Sequence, residues 1–360
     1  MDVLLEGLFY NGYGFAEDNR FLLQALDSAG YRVRILPRDP GAKYSALHLD
    51  EIRYIESFEH TELHNNDIYI CNIMGSNLTR RPDFRVNIAR TGFETDRIPS
   101  FWIPNLNAFD EVWVFSQFNQ ATFSASGVTS PIKVIPSYSA WAEADMEDSL
   151  FRVPFDDKFL FLSVFDWSDR KGYDLLINAY LEEFARTDNV ALIIKTTAGN
   201  DDKINEVSLL ASGNKEAPEI FIMNKMLPTN DLIKLYRLCN AFVLPTRGEG
   251  WGRPIMEAMI VGMPVIATNW SGPTDFMNED NAFPVKVDKL TEIRNHPIPL
   301  FNGHRWAEPS LNDLKRQMRY VYENPNEAKQ KGIQARSDIL GRYGKTQMIK
   351  LIKSEIEKFT

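Results

Sequence analysis

Short apolar runs alternate with amphipathic stretches along most of the chain. In the first part, residues 2–9, 32–37, 67–74, 86–91, 111–116 and 132–136 have the length and apolar content of buried strands. Between them, residues 19–31 carry apolar positions at helical spacing and close on Gly30, and residues 117–127 do the same and close on Gly127. Residues 10–18, "YNGYGFAED", read as a glycine loop. Residues 137–158 then turn polar, irregular and acidic, which predicts a linker. After it the alternation restarts with strands at 159–165, 190–196, 219–224, 241–246 and 264–268, and helices at 172–185, 229–238 and 254–261. Strands alternating with helices imply parallel sheets covered on both faces.

The expected fold class is therefore α/β, with two Rossmann-like doubly wound domains facing a cleft. A chain of 360 residues exceeds one ordinary core. The expected division is 1–150 and 151–344, with the amphipathic segment 345–360 packing back on the first domain. Ligands of open parallel sheets bind at the carboxyl ends of the strands, so the loops after the strands hold the candidate chemistry.

The formal charge of −9 argues against a nucleic-acid partner held by a general basic surface, and against broad docking on anionic lipid. Peripheral membrane contact is not indicated. Two cysteines, Cys71 and Cys239, form no disulfide framework or zinc pattern. The opening "MDVLLEGLFYNGYG" has no cationic leader, and no apolar run reaches membrane-spanning length, so a cytoplasmic location is expected. The absence of short-period repeats disfavours a scaffold.

Three loops of the second half point to an anion and a sugar. In "DWSDRKGYDLL" (166–176), Arg170 and Lys171 precede a helix whose N-terminus is already electropositive. A bound phosphate turns that unfavourable arrangement into a favourable one; a solvated surface pair is the bland alternative. In "RGEGWGRPIMEAM" (247–259), Glu249 sits in a glycine loop and Glu257 in an apolar helix, with seven residues between them. Pro254 suits the helix start, Arg253 takes the expected cap position, and Glu257 is placed in the first turn. Glu257 is the only charge in "PIMEAMIVGMPVIAT", so it requires hydrogen-bond donors, and sugar hydroxyls qualify. In "NWSGPTDFM" (269–277), Ser271 and Gly272 are expected to add free N–H groups. Gly12 and Gly14 allow close backbone approach after the first strand, but the third glycine of the dinucleotide fingerprint is missing, which disfavours NAD.

With R-K-G upstream and G-W-G-R-P inside the E-x7-E pair, residues 159–285 resemble the retaining GT-B glycosyltransferases of family 4. "GYG" after the first strand and the stretch from "FDEVWVFSQFNQATFSASGV" to "IKVIP" (109–136) are similar to the acceptor domain of that family, and "GHRWAEPS" (303–310) resembles a tail of bacterial members. The resemblance implies that Arg170, Lys171 and Glu249 form the catalytic set: the two cations grip the donor diphosphate and Glu249 bonds the donor sugar. N–H groups near Gly250, Trp251 and Gly252 would assist Glu249 on the sugar, and Glu257 would bond the ribose. Gly12 and Gly14 would approach the donor, and Met226, or Lys225 beside it, would lie near the base. On the acceptor side it implies Tyr13, Glu94 and Asp96. Many family members carry a histidine at this last place, where the chain reads "IARTGFETDRIP" (88–99) without one. The five histidines, His48, His60, His64, His296 and His304, are expected at the surface.

The function so implied is metal-independent, retaining transfer of a hexose from a nucleotide diphosphate sugar to a hydroxyl acceptor: a glycan, a lipid-linked sugar or a small molecule. No cofactor is expected. UDP-hexose and GDP-mannose fit the same residues equally, and a GT-B-shaped nucleotide-sugar binder without turnover is the alternative.

Overall fold

The computed structural model describes all residues except 42–46, 144–150, 156, 198–200, 213–214 and 360. Packing groups the chain into two units: Met1–Ala140 with Ile293–His304 and Arg342–Thr360, and Trp141–Glu292 with Arg305–Gly341. Of the predicted linker, 144–150 and 156 lie outside the described residues.

The first unit runs β1 (Asp2–Gly7), α1 (Gly14–Ser28), β2 (Arg32–Pro37), α2 (Leu49–Glu56), β3 (Ile68–Asn72), β4 (Val86–Arg90), α3 (Ile103–Leu106), β5 (Glu111–Val114), α4 (Gln117–Ser126) and β6 (Ile132–Val134). The six strands form one parallel sheet in the order β2-β1-β3-β4-β5-β6. β1, β3 and β4 are buried at every position, as strands covered on both faces must be.

Helix α1 begins at Gly14, five residues before the predicted start at 19. Asp18, which read as loop, is polar because it is buried with partners, as is Asn19 beside it. Asp18 meets Arg90 at 2.7 Å and Asn72 at 2.8 Å, and the Asn19 amide donates to the Leu8 carbonyl at 3.0 Å. Burial works to raise the Asp18 carboxyl, but the Arg90 guanidinium outweighs it and holds the group below its ordinary range.

The second unit runs β7 (Phe159–Val164), α5 (Tyr173–Glu183), β8 (Val190–Thr196), α6 (Asp201–Ser212), β9 (Glu219–Asn224), α7 (Thr229–Leu238), β10 (Ala241–Leu244), α8 (Arg253–Ile260), β11 (Val265–Thr268), β12 (Phe283–Val285), β13 (Val287–Glu292), β14 (Arg305–Pro309) and α9 (Leu311–Glu323). The long helix α10 (Pro325–Tyr343) follows, and α11 (Lys345–Glu357) packs on α1 within the first unit. The second parallel sheet has the order β12-β11-β10-β7-β8-β9. Its strand sequence reverses between β7 and β10, which pair directly through Ala241↔Phe161 and Phe242↔Leu162. The loops leaving β7 and β10 therefore emerge side by side, the arrangement that makes a switch point a ligand site. β13 and β14 form a separate antiparallel hairpin, and its connecting residues 293–304 pack with the first unit. Periodicity did not reveal β12–β14, α2 or α6.

No described helix is long and apolar enough to cross a membrane. Both cysteines are buried and unbridged.

Candidate active site

At the exit of β7 the chain makes a short 3-10 turn, Asp169–Lys171, and α5 follows with Gly172 as its cap. Gly172 has φ +68, and a Cβ there would stand 2.0 Å from the Pro245 carbonyl oxygen. Only glycine permits this approach of the β7 loop to the β10 loop.

The approach brings the predicted cations onto the predicted carboxylate. Lys171 Nζ lies 2.6 Å from Glu249 Oε1 and Arg170 Nη1 lies 3.2 Å from Glu249 Oε2. Arg170 Nη1 also donates to the Gly248 carbonyl at 2.6 Å. All three side chains are largely buried, with exposures of 16%, 11% and 8% for Arg170, Lys171 and Glu249. Burial pushes the Glu249 carboxyl upward, yet Lys171 and then Arg170 outweigh it and hold the group below its ordinary range. Two cations against one carboxylate leave a net charge of +1 among these three groups. That excess, in a sheltered position, favours an anion.

The third loop fixes the backbone of the same glutamate. The Glu249 N–H donates to Ser271 Oγ at 2.9 Å, and the Gly272 N–H donates to the Glu249 carbonyl at 3.0 Å. The Gly272 N–H, expected to be open, is thus spent inside the protein. Ser271 holds φ +66, a conformation that L-residues rarely adopt, and this strain is concentrated where the β11 loop touches the β10 loop. Thr246, which the sequence reading passed over, places its hydroxyl within 3.2 Å of Glu249 Oε1 and 3.1 Å of the Arg170 carbonyl.

Helix α8 differs from expectation in two ways. Its cap is Gly252, at φ +97, and not Arg253. Glu257 consequently falls beyond the first turn, so dipole complementarity does not account for it. The donor it requires comes from its own helix: Arg253 Nη2 lies 3.2 Å from Glu257 Oε1, an i,i+4 pair. The burial of Glu257 therefore does not by itself demand a ligand. Trp251 is a core side chain, 4% exposed, bonded through Nε1 to Met256 Sδ and packed 4.9 Å from the Phe276 ring. The Trp251 side chain is thus spent in the core and does not face a ligand. Lys225 and Met226 are exposed in the turn after β9, Met226 by 40%.

Lys195, near the end of β8, is 6% exposed, and its ammonium makes no hydrogen bond to a described residue. Burial pushes its pKa down, opposed in part by Asp166. Lys195→Met is expected to stabilise the fold at neutral pH by about 1–3 kcal/mol, measured by urea unfolding. The gain should shrink as pH rises toward the ordinary lysine value of 10.5. Through that window the unfolded parent binds more protons than the folded one, so the parent gains stability with pH.

In the first unit, Asp39 shapes the glycine loop after β1. Its carboxylate accepts from the N–H groups of Phe9, Tyr10 and Asn11 at 2.8–3.0 Å. Gly12 is half-buried, Gly14 is exposed as the first residue of α1, and Tyr13 is 65% exposed. Glu94 and Asp96 are half-buried after β4. Between them Thr95 is buried, with its hydroxyl 3.0 Å from His304 Nδ1. His304, expected at the surface, is 9% exposed and rests edge-on against Phe93. Burial, then Arg97, lowers its pKa, against Asp96. Local sequence gave no sign of this histidine, because the chain travels more than 200 residues before meeting Thr95.

Residues 156–296 match the family model of the glycosyl transferases group 1. The serotype-specific mannosyltransferase WbdA of Escherichia coli is 25% identical over 238 residues, which are 66% of this chain and 26% of that protein. A putative glycosyltransferase 45 of Sulfolobus islandicus filamentous virus is 23% identical over 262 residues, 69% of this chain and 67% of its own length. Anabaena Alr3699/HepE, solved with UDP and glucose, superposes with a TM-score of 0.64 at 16% identity, covering 99% of this chain and all of HepE. The chain has the GT-B fold, and the stretch that resembles the glycosyl transferases group 1 lies almost entirely in its second unit. It spans about a quarter of the length of the mannosyltransferase relatives.

Proposed function

We propose that this protein transfers a hexosyl group from a nucleotide diphosphate sugar to a hydroxyl acceptor, with retention of anomeric configuration and without a divalent metal. One observation carries the reading: Arg170 and Lys171 meet at Glu249, within 3.2 and 2.6 Å, at the switch point of a parallel sheet. An arriving diphosphate competes with Glu249 for both cations. Once they turn to the phosphate, the Glu249 carboxylate is released to accept hydroxyl protons from the sugar.

In the transfer, the bond between the anomeric carbon and the β-phosphate oxygen breaks while the acceptor oxygen bonds the same carbon from the same face. The acceptor proton passes to the departing phosphate. Arg170 and Lys171 stabilise the charge that grows on that phosphate, which replaces the role a metal would otherwise serve. Glu257 and the backbone of 250–252 are assigned to the ribose and sugar, Met226 to the base, and Gly12 and Gly14 to the donor. Tyr13, Glu94 and Asp96 are assigned to the acceptor, a glycan or lipid-linked glycan. The mannosyltransferase name of the E. coli relatives and the UDP and glucose of HepE support a hexose, linked to GDP or UDP.

Incubation with UDP- and GDP-hexoses in excess chelator is the test. Release of nucleoside diphosphate that rises with added acceptor is expected, with the product anomer read by NMR. Binding without release would favour the alternative, a nucleotide-sugar binder. Activity that vanishes in chelator and returns with magnesium would remove the metal-independent mechanism.

A further inference from the structure

Arg247 stands two residues before Glu249 and, by sequence, offers itself as a third phosphate cation. Its geometry excludes that role. A guanidinium has five N–H donors, and here all five are engaged. Nε donates to Glu308 Oε2 at 3.2 Å. Nη1 donates to the Asp169 carbonyl at 2.6 Å and to Asp174 Oδ1 at 2.8 Å. Nη2 donates to Asp174 Oδ2 at 2.8 Å and to Glu308 Oε1 at 3.0 Å. The residue is 7% exposed, with the Trp306 ring centroid 6.0 Å from Cζ. With two carboxylates on one cation, the local charge is −1, which repels an anion. Burial works to lower the Arg247 pKa, but the two carboxylates outweigh it and raise it further.

The backbone of Arg247 ties the same pieces together. Its N–H donates to the Arg170 carbonyl at 2.6 Å, and its carbonyl accepts from the Ala307 N–H at 3.0 Å. One residue thus joins four segments of the second unit: the 169–171 turn, the first turn of α5, the glycine loop of Glu249, and β14. Arg170 and Lys171 are neighbouring like charges ahead of a helix N-terminus, so mutual repulsion and the helix dipole both push them off their positions. The carbonyls of Asp169 and Arg170 are the points at which that turn is held.

We propose that Arg247 is the positioning residue of the phosphate-binding turn, with the β13–β14 hairpin acting as its brace through Glu308. This inference rests on the donor reading above. Arg247 touches no substrate; it acts through Arg170 and Lys171. Lysine cannot replace it, because a single ammonium does not reproduce a fork shared by two carboxylates and a carbonyl.

The test compares a nucleoside with its diphosphate, uridine against UDP and guanosine against GDP, by calorimetry on the parent, Arg247→Lys and Glu308→Gln. The expected result is that Arg247→Lys binds the diphosphate about tenfold or more weakly, equivalent to 1.4 kcal/mol or more, with affinity for the nucleoside unchanged. In transfer assays this variant shows a lower kcat and a higher donor KM. Glu308→Gln, which keeps the Asp174 pair, shows the same selectivity with a smaller loss and carries the comparison if Arg247→Lys does not fold. Parallel loss of nucleoside and diphosphate binding would mean a general structural role and overturn the proposal. So would unchanged diphosphate binding in folded variants. A parent that binds neither diphosphate overturns the donor reading, and this inference with it; a parent that binds the diphosphate tightly while the variants do the same overturns this inference alone.

Discussion

Lys171→Ala is expected to lower the proposed sugar transfer by about 10²–10³-fold, the range found when one preorganised charge partner of a departing group is removed. The effect falls on kcat more than on affinity for the bare nucleoside, because Lys171 is assigned to the phosphate. The fold survives the change, since Glu249 keeps Arg170 at 3.2 Å and Thr246 at 3.2 Å. Single-turnover kinetics with the preferred donor, beside a melting curve, check both halves. Glu257→Ala gives the opposite pattern. It weakens nucleotide binding while leaving the phosphate cations in place, and its stability cost is small because its partner Arg253 is 16% exposed and can reach water. Full turnover in both variants would discard the proposed mechanism.

Gly172→Ala is expected to destabilise the protein by about 3–5 kcal/mol, combining left-handed strain with steric overlap. The overlap is with backbone, the Pro245 carbonyl at 2.0 Å, which cannot move without shifting β10. Gly30→Ala supplies the control. Gly30 has φ +82, similar to Gly172, but nothing lies within 4 Å of its would-be Cβ. It should cost only about 1–2 kcal/mol. Urea unfolding of the two variants separates the conformational term from the collision. Equal costs would show that the two loops do not press together as described. Residual activity of Gly172→Ala should also be low, because the collision drives Lys171 away from Glu249.

The sequence disclosed more of the strands than of the contacts between them. Runs such as 190–196 and 219–224 match the observed β8 and β9 residue for residue. Buried parallel strands are continuous apolar runs, and that pattern is local. Helix α1 was shortened because Asp18 looks like a loop residue until Arg90 and Asn72 satisfy it. β13 and β14 were missed because they form a two-stranded hairpin with half-exposed, mixed residues and no clean alternation.

The site divides in the same way. R-K-G and E-x7-E stood out because charge and glycine are conspicuous beside apolar strands. Their supports did so less: Thr246 and Arg247 are an ordinary turn residue and one more surface charge until their partners are known, and Ser271 drew notice for its N–H rather than for the hydroxyl that accepts from Glu249. Arg247 needs Asp174, 73 residues before it, and Glu308, 61 residues after it.

The chain by itself determined the class of fold, and which loops between strands hold the glycines and charges, since these follow from local periodicity and composition. Only the tertiary structure decided that Lys171 and Glu249, 78 residues apart, share a hydrogen bond. The reason is strand order. β7 pairs with β10 rather than with a sequence neighbour on that side, and such long-range pairing depends on how whole faces pack, which no window of residues encodes.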